Sequence, residues 1–210
     1  MAKVIKYFYM NAIIDVTDVK IETERLILRA FSENDLDDFF DYASVAGVGE
    51  MAGWSHHESK DVSKRILAEF IEEKKTIAIV YKANNKVIGS LGVEPYNLEE
   101  KLSEFFDYQG REIGFVLAKD YWGKGLMPEA VKAAIDYLFN SLNYDFLLCG
   151  FYDFNNRSRR VQEKCGFKPY RKLVFNPKCG DPEPGVLMLL PNPNKNIEFK
   201  FSHPETLIWK

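Results

Sequence analysis

"DYWGKGLMPEAVKAAIDYLF", residues 120–139, sets two glycines, a lysine and a proline directly before a strongly apolar helical pattern. Glycine before a helix is either simple punctuation or a seat for an anion. A strand that feeds a glycine turn and then a helix presents unpaired backbone N–H groups at the helix start, and the positive end of the macrodipole adds to them. With no side chain blocking the approach, such amides can curl around a phosphate. Here they would be those of Gly123, Lys124, Gly125, Leu126 and Met127. Pro128 lacks an N–H and fits the first turn, while Lys119 and Lys124 add positive charge nearby. The familiar nucleotide loops fit poorly. Leu126 stands where a Walker loop needs lysine after Gly125, and Pro128 stands where a dinucleotide fold needs its third glycine.

Beyond the turn, Val131, Ala134, Ile135, Leu138, Phe139 and Leu142 recur at helical spacing and define one buried face. Upstream, "RLILRAF" (25–31) alternates as a strand, and "SENDLDDFFDYAS" opens with Ser32 and Asp35 at capping-box spacing. "SKDVSKRILAEFIEEK" repeats the helical pattern through Val62, Ile66, Phe70 and Ile71. The segments "TIAIVYK", "KVIGSLGV" and "REIGFVLA" read as strands, the first two joined by the turn "ANN". "DFLLCGF" (145–151) has the unbroken apolar character of an interior strand. "NRSRRVQEKCG" is a short polar helix stopped by Gly166, and "PYRKLVF" and "GVLMLL" add two strands. This order predicts a mixed α/β or α+β sheet with helices on both faces.

Bulk composition bounds the function. The 210 residues, 46% hydrophobic and 28% charged, suit one domain with a sizeable core. A net charge of −3 argues against a protein built to coat nucleic acid or anionic membrane. No apolar run approaches the ~18–20 residues of a membrane span, and "MAKVIKYFYMNAIID" is not read as a signal peptide. Cys149, Cys165 and Cys179 are an odd number without close pairing, which suits a reducing cytoplasm. With His56 and His57 adjacent and His203 remote, no metal site is expected.

Two linked motifs carry a resemblance. "YWGKGLMPEA" is similar to the acyl-CoA-binding turn of the GNAT superfamily of N-acetyltransferases. "NNRSRRVQEKCGF" (155–167) resembles that family's second motif, with Asn155, Ser158, Glu163, Lys164, Gly166 and Phe167 in register. "REIGFVLAKDYWGKG" and "RLILRAFSENDLDDFF" extend the match over about residues 22–190. Trp122 before the glycine and the loop "GEMAGWSHHESK" resemble the branch that acetylates ribosomal-protein N-termini.

The resemblance implies one acyltransferase domain across 1–210, built on a mostly antiparallel sheet of about seven strands. Its fourth and fifth strands, 111–118 and 145–151, would splay apart. It implies acetyl-CoA as cofactor, with pantetheine pairing near Phe115, Val116 and Leu117 and the pyrophosphate on amides 123–127 beside Trp122. An amine would attack the thioester directly, with a backbone amide at Val116 or Leu117 stabilising the oxyanion. "VQEKCGF" lacks the tyrosine that many members use as proton donor, which leaves Ser158 as the candidate. Glu112 and Glu94 are the carboxylates to test as general base, against the alternative of sheet-edge charges.

Asn155 would bond pantetheine or the incoming amine, cap its helix, or do both. Arg157, Arg159 and Arg160 read as a solvated face, a phosphate contact or a nucleic-acid patch, of which the last is least favoured. Trp54, His56 and His57 would line the acceptor site, unless Trp54 packs in the core. Cys165 reads as a buried filler. The branch resemblance points to a protein N-terminus as acceptor. A small amine (polyamine, amino sugar, antibiotic) and a non-catalytic acyl-CoA sensor are the alternatives, with monomer and homodimer both open.

Overall fold

The computed structural model describes residues 11–96, 105, 107–197 and 199. Parts of the two terminal segments, with His203, lie outside them. The chain runs β1 (Lys20–Glu22), β2 (Leu26–Ala30), α1 (Leu36–Ala43), α2 (Lys60–Glu73), β3 (Thr76–Tyr81), β4 (Lys86–Glu94) and β5 (Gly110–Leu117). It continues with α3 (Leu126–Asp136), β6 (Phe146–Tyr152), α4 (Asn156–Lys164), β7 (Lys168–Phe175) and β8 (Glu183–Pro191). Among the described residues, one sheet of eight strands has the order β1-β2-β3-β4-β5-β6-β8-β7. About seven were expected. The addition is β1, whose three residues "KIE" are too short and too wet to alternate visibly, and which pairs antiparallel with β2.

Every neighbouring pair is antiparallel except β5 with β6. Those two run parallel and pair only at Gly110↔Phe146, Arg111↔Leu147 and Glu112↔Leu148. Past Glu112 and Leu148 they diverge, so the expected splay is present. Both edges facing the gap belong to strands that are fully laddered on their other side, β5 by β4 and β6 by β8.

Each face of the sheet buries its own cluster. On one, Ile113 and Leu117 of β5 and Leu147 and Cys149 of β6 meet α3 through Met127, Ala130, Val131, Ala134 and Leu138. Val131, Ala134 and Leu138 are wholly buried, and removing one such aliphatic side chain costs about 2–5 kcal/mol. The predicted stripe holds to its end, though after Asp136 the helix widens into a π turn, Tyr137–Ser141. The opposite face carries α1 and α2. Asp35 accepts from the Ser32 amide (2.8 Å), completing the expected reciprocal cap, and α2 starts at Ser59, whose hydroxyl accepts from the Val62 N–H at 3.4 Å. In α2 the deepest residues are Ser63 and Leu67, one step round from the expected face, with Ile66, Phe70 and Ile71 beside them. Among the described residues no helix is long and apolar enough to cross a membrane.

Candidate active site

The divergence of β5 and β6 opens a cavity of about 570 Å³ that passes through the sheet. Its floor on the α3 side is the glycine turn. Gly123 and Gly125 sit at φ of +77° and +76°, left-handed backbone that favours glycine, and Gly125 is the N-cap of α3. Among the described residues, none of the amides of Gly123 through Met127 donates to a protein acceptor. All but Lys124 line the cavity, as do Arg157, Arg160 and Lys164 of α4. Four free donors lining the cavity, a helix N-terminus and three cations suit a diphosphate. Lys124 turns its side chain outward, its Nζ 5.2 Å from the Tyr121 ring. The arginines divide their work. Arg157 stacks on Trp122 at 4.8 Å, Arg159 pairs with Glu163 at 2.8 Å, and Arg160 faces the cavity.

The turn is held by residues that sequence reading passed over. Arg25 donates to the Lys124 carbonyl (2.9 Å) and forms an ion pair with Glu129 (2.7 Å). Glu129 also accepts from the Thr23 hydroxyl (2.6 Å) and the Arg25 amide (2.9 Å). The start of β2 thus clamps both the turn and the helix behind it. No local signal marks such a contact, because the partners lie about a hundred residues apart.

Alternation decides which amides face the gap. The Ala118 N–H donates to the Ile88 carbonyl, continuing the β4–β5 ladder. Antiparallel pairing therefore turns the Val116 amide toward β4 and those of Phe115 and Leu117 toward the gap. Of the two amides considered as oxyanion donors, Leu117 has the right aspect and Val116 does not. Trp122 Nε1 takes the Leu117 carbonyl at 2.7 Å and so locks this end of the strand.

On the other face of the sheet, Glu112 projects into the cavity with Gly114 and Val116. Its carboxyl makes no hydrogen bond or ion pair among the described residues. Burial, with the Glu94 charge adding, pushes it up to about 7. Glu94 is its cross-strand neighbour but does not line the cavity, and its carboxylate is spent on Lys75 at 2.7 Å. Cys149 also lines the gap, and burial drives its thiol well above the usual range, so it stays protonated. Cys165 packs at the end of α4, its Sγ 3.7 Å from the Pro128 carbonyl.

Asn155 is committed at both ends. Its Oδ1 accepts from the Ser158 N–H (3.1 Å), capping α4, and its Nδ2 donates to the Met51 carbonyl (3.0 Å). It therefore ties the helix to the loop over the cavity. Ser158 lines the cavity and accepts at Oγ from Gln162 Nε2 (3.0 Å), which leaves its O–H free to donate elsewhere. Trp54, His56 and His57 do not line the cavity. His57 is buried, bonds to Ser63 at 2.7 Å and meets the Phe39 ring edge-on, while Trp54 packs beside it at 5.2 Å. His56 pairs with Glu50 at 2.7 Å. The loop instead offers Val48, Met51 and Ala52, opposite Tyr152 and Phe175.

A sheet that splits beside free amides at a helix N-terminus suits an acyl-CoA-dependent transferase. The profile of the acetyltransferase (GNAT) domain matches residues 25–168, and the chain belongs to that family. It is an acetyl-CoA-dependent acetyltransferase. The uncharacterized N-acetyltransferase p20 of Bacillus licheniformis is 32% identical over 127 residues, 58% of this chain and 66% of that protein. In fold, the chain is similar to a GNAT-family acetyltransferase from Bacillus anthracis (TM-score 0.72, 20% identity, 83% of this chain and 99% of that one). It is also similar to the ribosomal-protein-S5-alanine acetyltransferase of Vibrio fischeri (TM-score 0.65, 20% identity, 88% and 100%). A third is the spermidine N-acetyltransferase of Vibrio cholerae, solved with CoA and spermine (TM-score 0.65, 20% identity, 81% and 97%).

Proposed function

We propose that this enzyme acetylates the primary amine of a small molecule by direct attack in a ternary complex, within a single cytoplasmic acyltransferase domain. One observation carries the reading: an unpartnered carboxyl, Glu112, held near pH 7 in a cavity whose opposite end is an anion seat. Acetyl-CoA supplies a thioester carbonyl open to attack by an amine. Phe115 and Leu117 would pair its pantetheine arm, and amides 123–127 with Trp122 would hold its diphosphate. Glu112 takes the proton from the amine, poised because its carboxyl titrates close to working pH. The Leu117 amide would donate to the carbonyl oxygen as negative charge develops there, a donor type worth roughly 3–4 kcal/mol in other enzymes. The Ser158 hydroxyl donates to the departing sulfur.

The acceptor side argues for a small substrate over a polypeptide. The Lys178 amide donates to the Gly53 carbonyl at 2.7 Å, so the segment between β7 and β8 meets the α1–α2 loop. Asn155 fastens the same loop to α4 through Met51. These two contacts draw the loop across the acceptor half and narrow the room left there for a polypeptide. The branch resemblance and the likeness to the alanine acetyltransferase of Vibrio fischeri favour a second reading, a protein N-terminus. An α-amino group is roughly a tenth neutral at pH 7, so a peptide needs less help from a base than Glu112 offers. A cytoplasmic setting suits three cysteines that are all free thiols.

Incubation with acetyl-CoA and a panel of small amines and peptides, followed by thiol release and acceptor mass, tests the reading. Acetylated small amines are expected. Acetylation of peptides alone moves the assignment to the second reading, and tight CoA binding without turnover on any acceptor points to a sensor.

A further inference from the structure

The two halves of the cavity differ in chemistry. The half facing α3 and α4 has the free amides and the cations Arg157, Arg160 and Lys164. The half facing α1 and α2 is walled by Val48, Met51, Ala52, Val116 and the rings of Tyr152 and Phe175, with Glu112 its one acid among the described residues. Phe175 and Tyr152 meet edge-on at 5.8 Å. A Cβ placed on Gly150 would lie 2.8 Å from the Phe175 ring and 3.5 Å from Glu112 Oε1, so the aromatic ring borders the carboxyl. Resting on the reading of this cavity as a small-amine acetylation site, we infer that its acceptor is a monoamine with an apolar, aromatic or branched aliphatic body.

The amino group needs one anion and tolerates a ring face beside it. Glu112 and Phe175 provide that pair. A polyamine brings further ammonium groups, for which this half of the cavity has no second acid among the described residues. Glu94, the next carboxylate, is held by Lys75 at 2.7 Å. An amino sugar brings hydroxyls that each need a hydrogen bond. The Asn155 amide is already used by Ser158 and Met51, so beyond Glu112 and the Tyr152 hydroxyl the side chains of this wall offer a sugar's several hydroxyls no partner. An apolar body loses nothing on entry and gains from leaving water.

Gly114 provides a steric handle. It lines the cavity on the Glu112 face, and a Cβ there would meet nothing within 4 Å. A side chain can therefore leave the backbone there freely, and a larger one would extend into the acceptor half.

The test compares 2-phenylethylamine, spermidine, glucosamine and a peptide with a free N-terminus by thiol release, with acceptor mass as the second readout. The expected kcat/KM for 2-phenylethylamine exceeds those for spermidine and glucosamine by about tenfold or more. Preference for spermidine or glucosamine overturns this inference while small-amine acetylation stands. Acetylation of the peptide alone overturns the wider reading as well. Gly114→Leu is expected to raise the KM for 2-phenylethylamine about tenfold and to leave acetyl-CoA affinity, measured by calorimetry, unchanged. An unmoved KM, or a matching loss of acetyl-CoA affinity, overturns the placement of the amine in this half.

Discussion

Gln162 Nε2 donates to the Ser158 hydroxyl oxygen and to the Gly150 carbonyl, each at 3.0 Å. The residue is wholly buried, and its Oε1 has no partner among the described residues. The Gly150 carbonyl lies on the edge of β6 that faces the gap, since β8 takes the alternate residues. Gln162 thus supplies a hydrogen bond that the diverging strand β5 cannot, and it turns the Ser158 proton outward. Gln162→Leu keeps the volume and removes both donors. An unpaired buried carbonyl costs about 1–3 kcal/mol, so the melting temperature should fall. If Gln162 also orients Ser158, kcat falls about tenfold while the KM for acetyl-CoA stays put. A fall in melting temperature with unchanged kcat would reduce Gln162 to a structural role.

Glu112→Gln should move activity and stability in opposite directions. The variant cannot accept the amine's proton, and kcat/KM is expected to drop by about 10²–10⁴. The rise of kcat/KM with pH near 7, where this carboxyl titrates, should vanish and leave only the limb from the amine itself. For stability, a folded-state value raised from 4.5 to about 7 means the folded protein binds the extra proton. The wild type therefore loses stability as pH rises from 4.5 through 7, by at most about 3 kcal/mol. Glutamine carries no such penalty. Melting scans should find the variant equal to wild type at pH 4 and more stable at pH 8, and equal stability at both would mean that Glu112 is not desolvated.

Arg25→Ala tests the clamp on the glycine turn. The ion pair with Glu129 is partly exposed, so the loss of overall stability should be small. The Lys124 carbonyl loses its donor, however, and the free amides around it lose their fixed direction. Calorimetry should show acetyl-CoA binding weakened about tenfold, with amine KM little altered. Unchanged acetyl-CoA affinity would mean that the turn holds its shape without Arg25.

Much of this architecture is legible in the sequence, for stated reasons. The stripe from Val131 to Phe139 has a clean helical period, and the glycine turn precedes it. The divergence of β5 and β6 comes from the family resemblance and not from composition, since "REIGFVLA" and "DFLLCGF" look like any interior strands. Trp54, His56 and His57 mislead because adjacency in a loop says nothing about which side faces the cavity. His57 turns inward to Ser63, and the backbone around Met51 faces the site. Gln162 escapes notice because one more polar residue in a polar helix carries no mark of burial. Glu94 and Glu112 look alike in sequence, and it is the fold that buries Glu112 in the cavity and gives Glu94 to Lys75.

Asn155 has two jobs that one atom exchange can separate. Oδ1 caps α4 through the Ser158 amide, and Nδ2 holds the Met51 carbonyl in the roof of the acceptor half. Asn155→Asp retains the cap, since a carboxylate oxygen serves an N-terminus at least as well. It also sets an acceptor against the Met51 carbonyl, so the loop from Gly49 to Gly53 should lift away. Asn155→Ala loses both bonds, and the missing cap costs about 1 kcal/mol. The aspartate variant should therefore keep most of its melting temperature and its acetyl-CoA affinity while the amine KM rises several-fold, whereas the alanine variant loses on all three measures. Equal amine KM in the wild type and the aspartate variant would show that Met51 keeps its place without this bond, and the acceptor roof would have to be held by the Lys178–Gly53 contact alone.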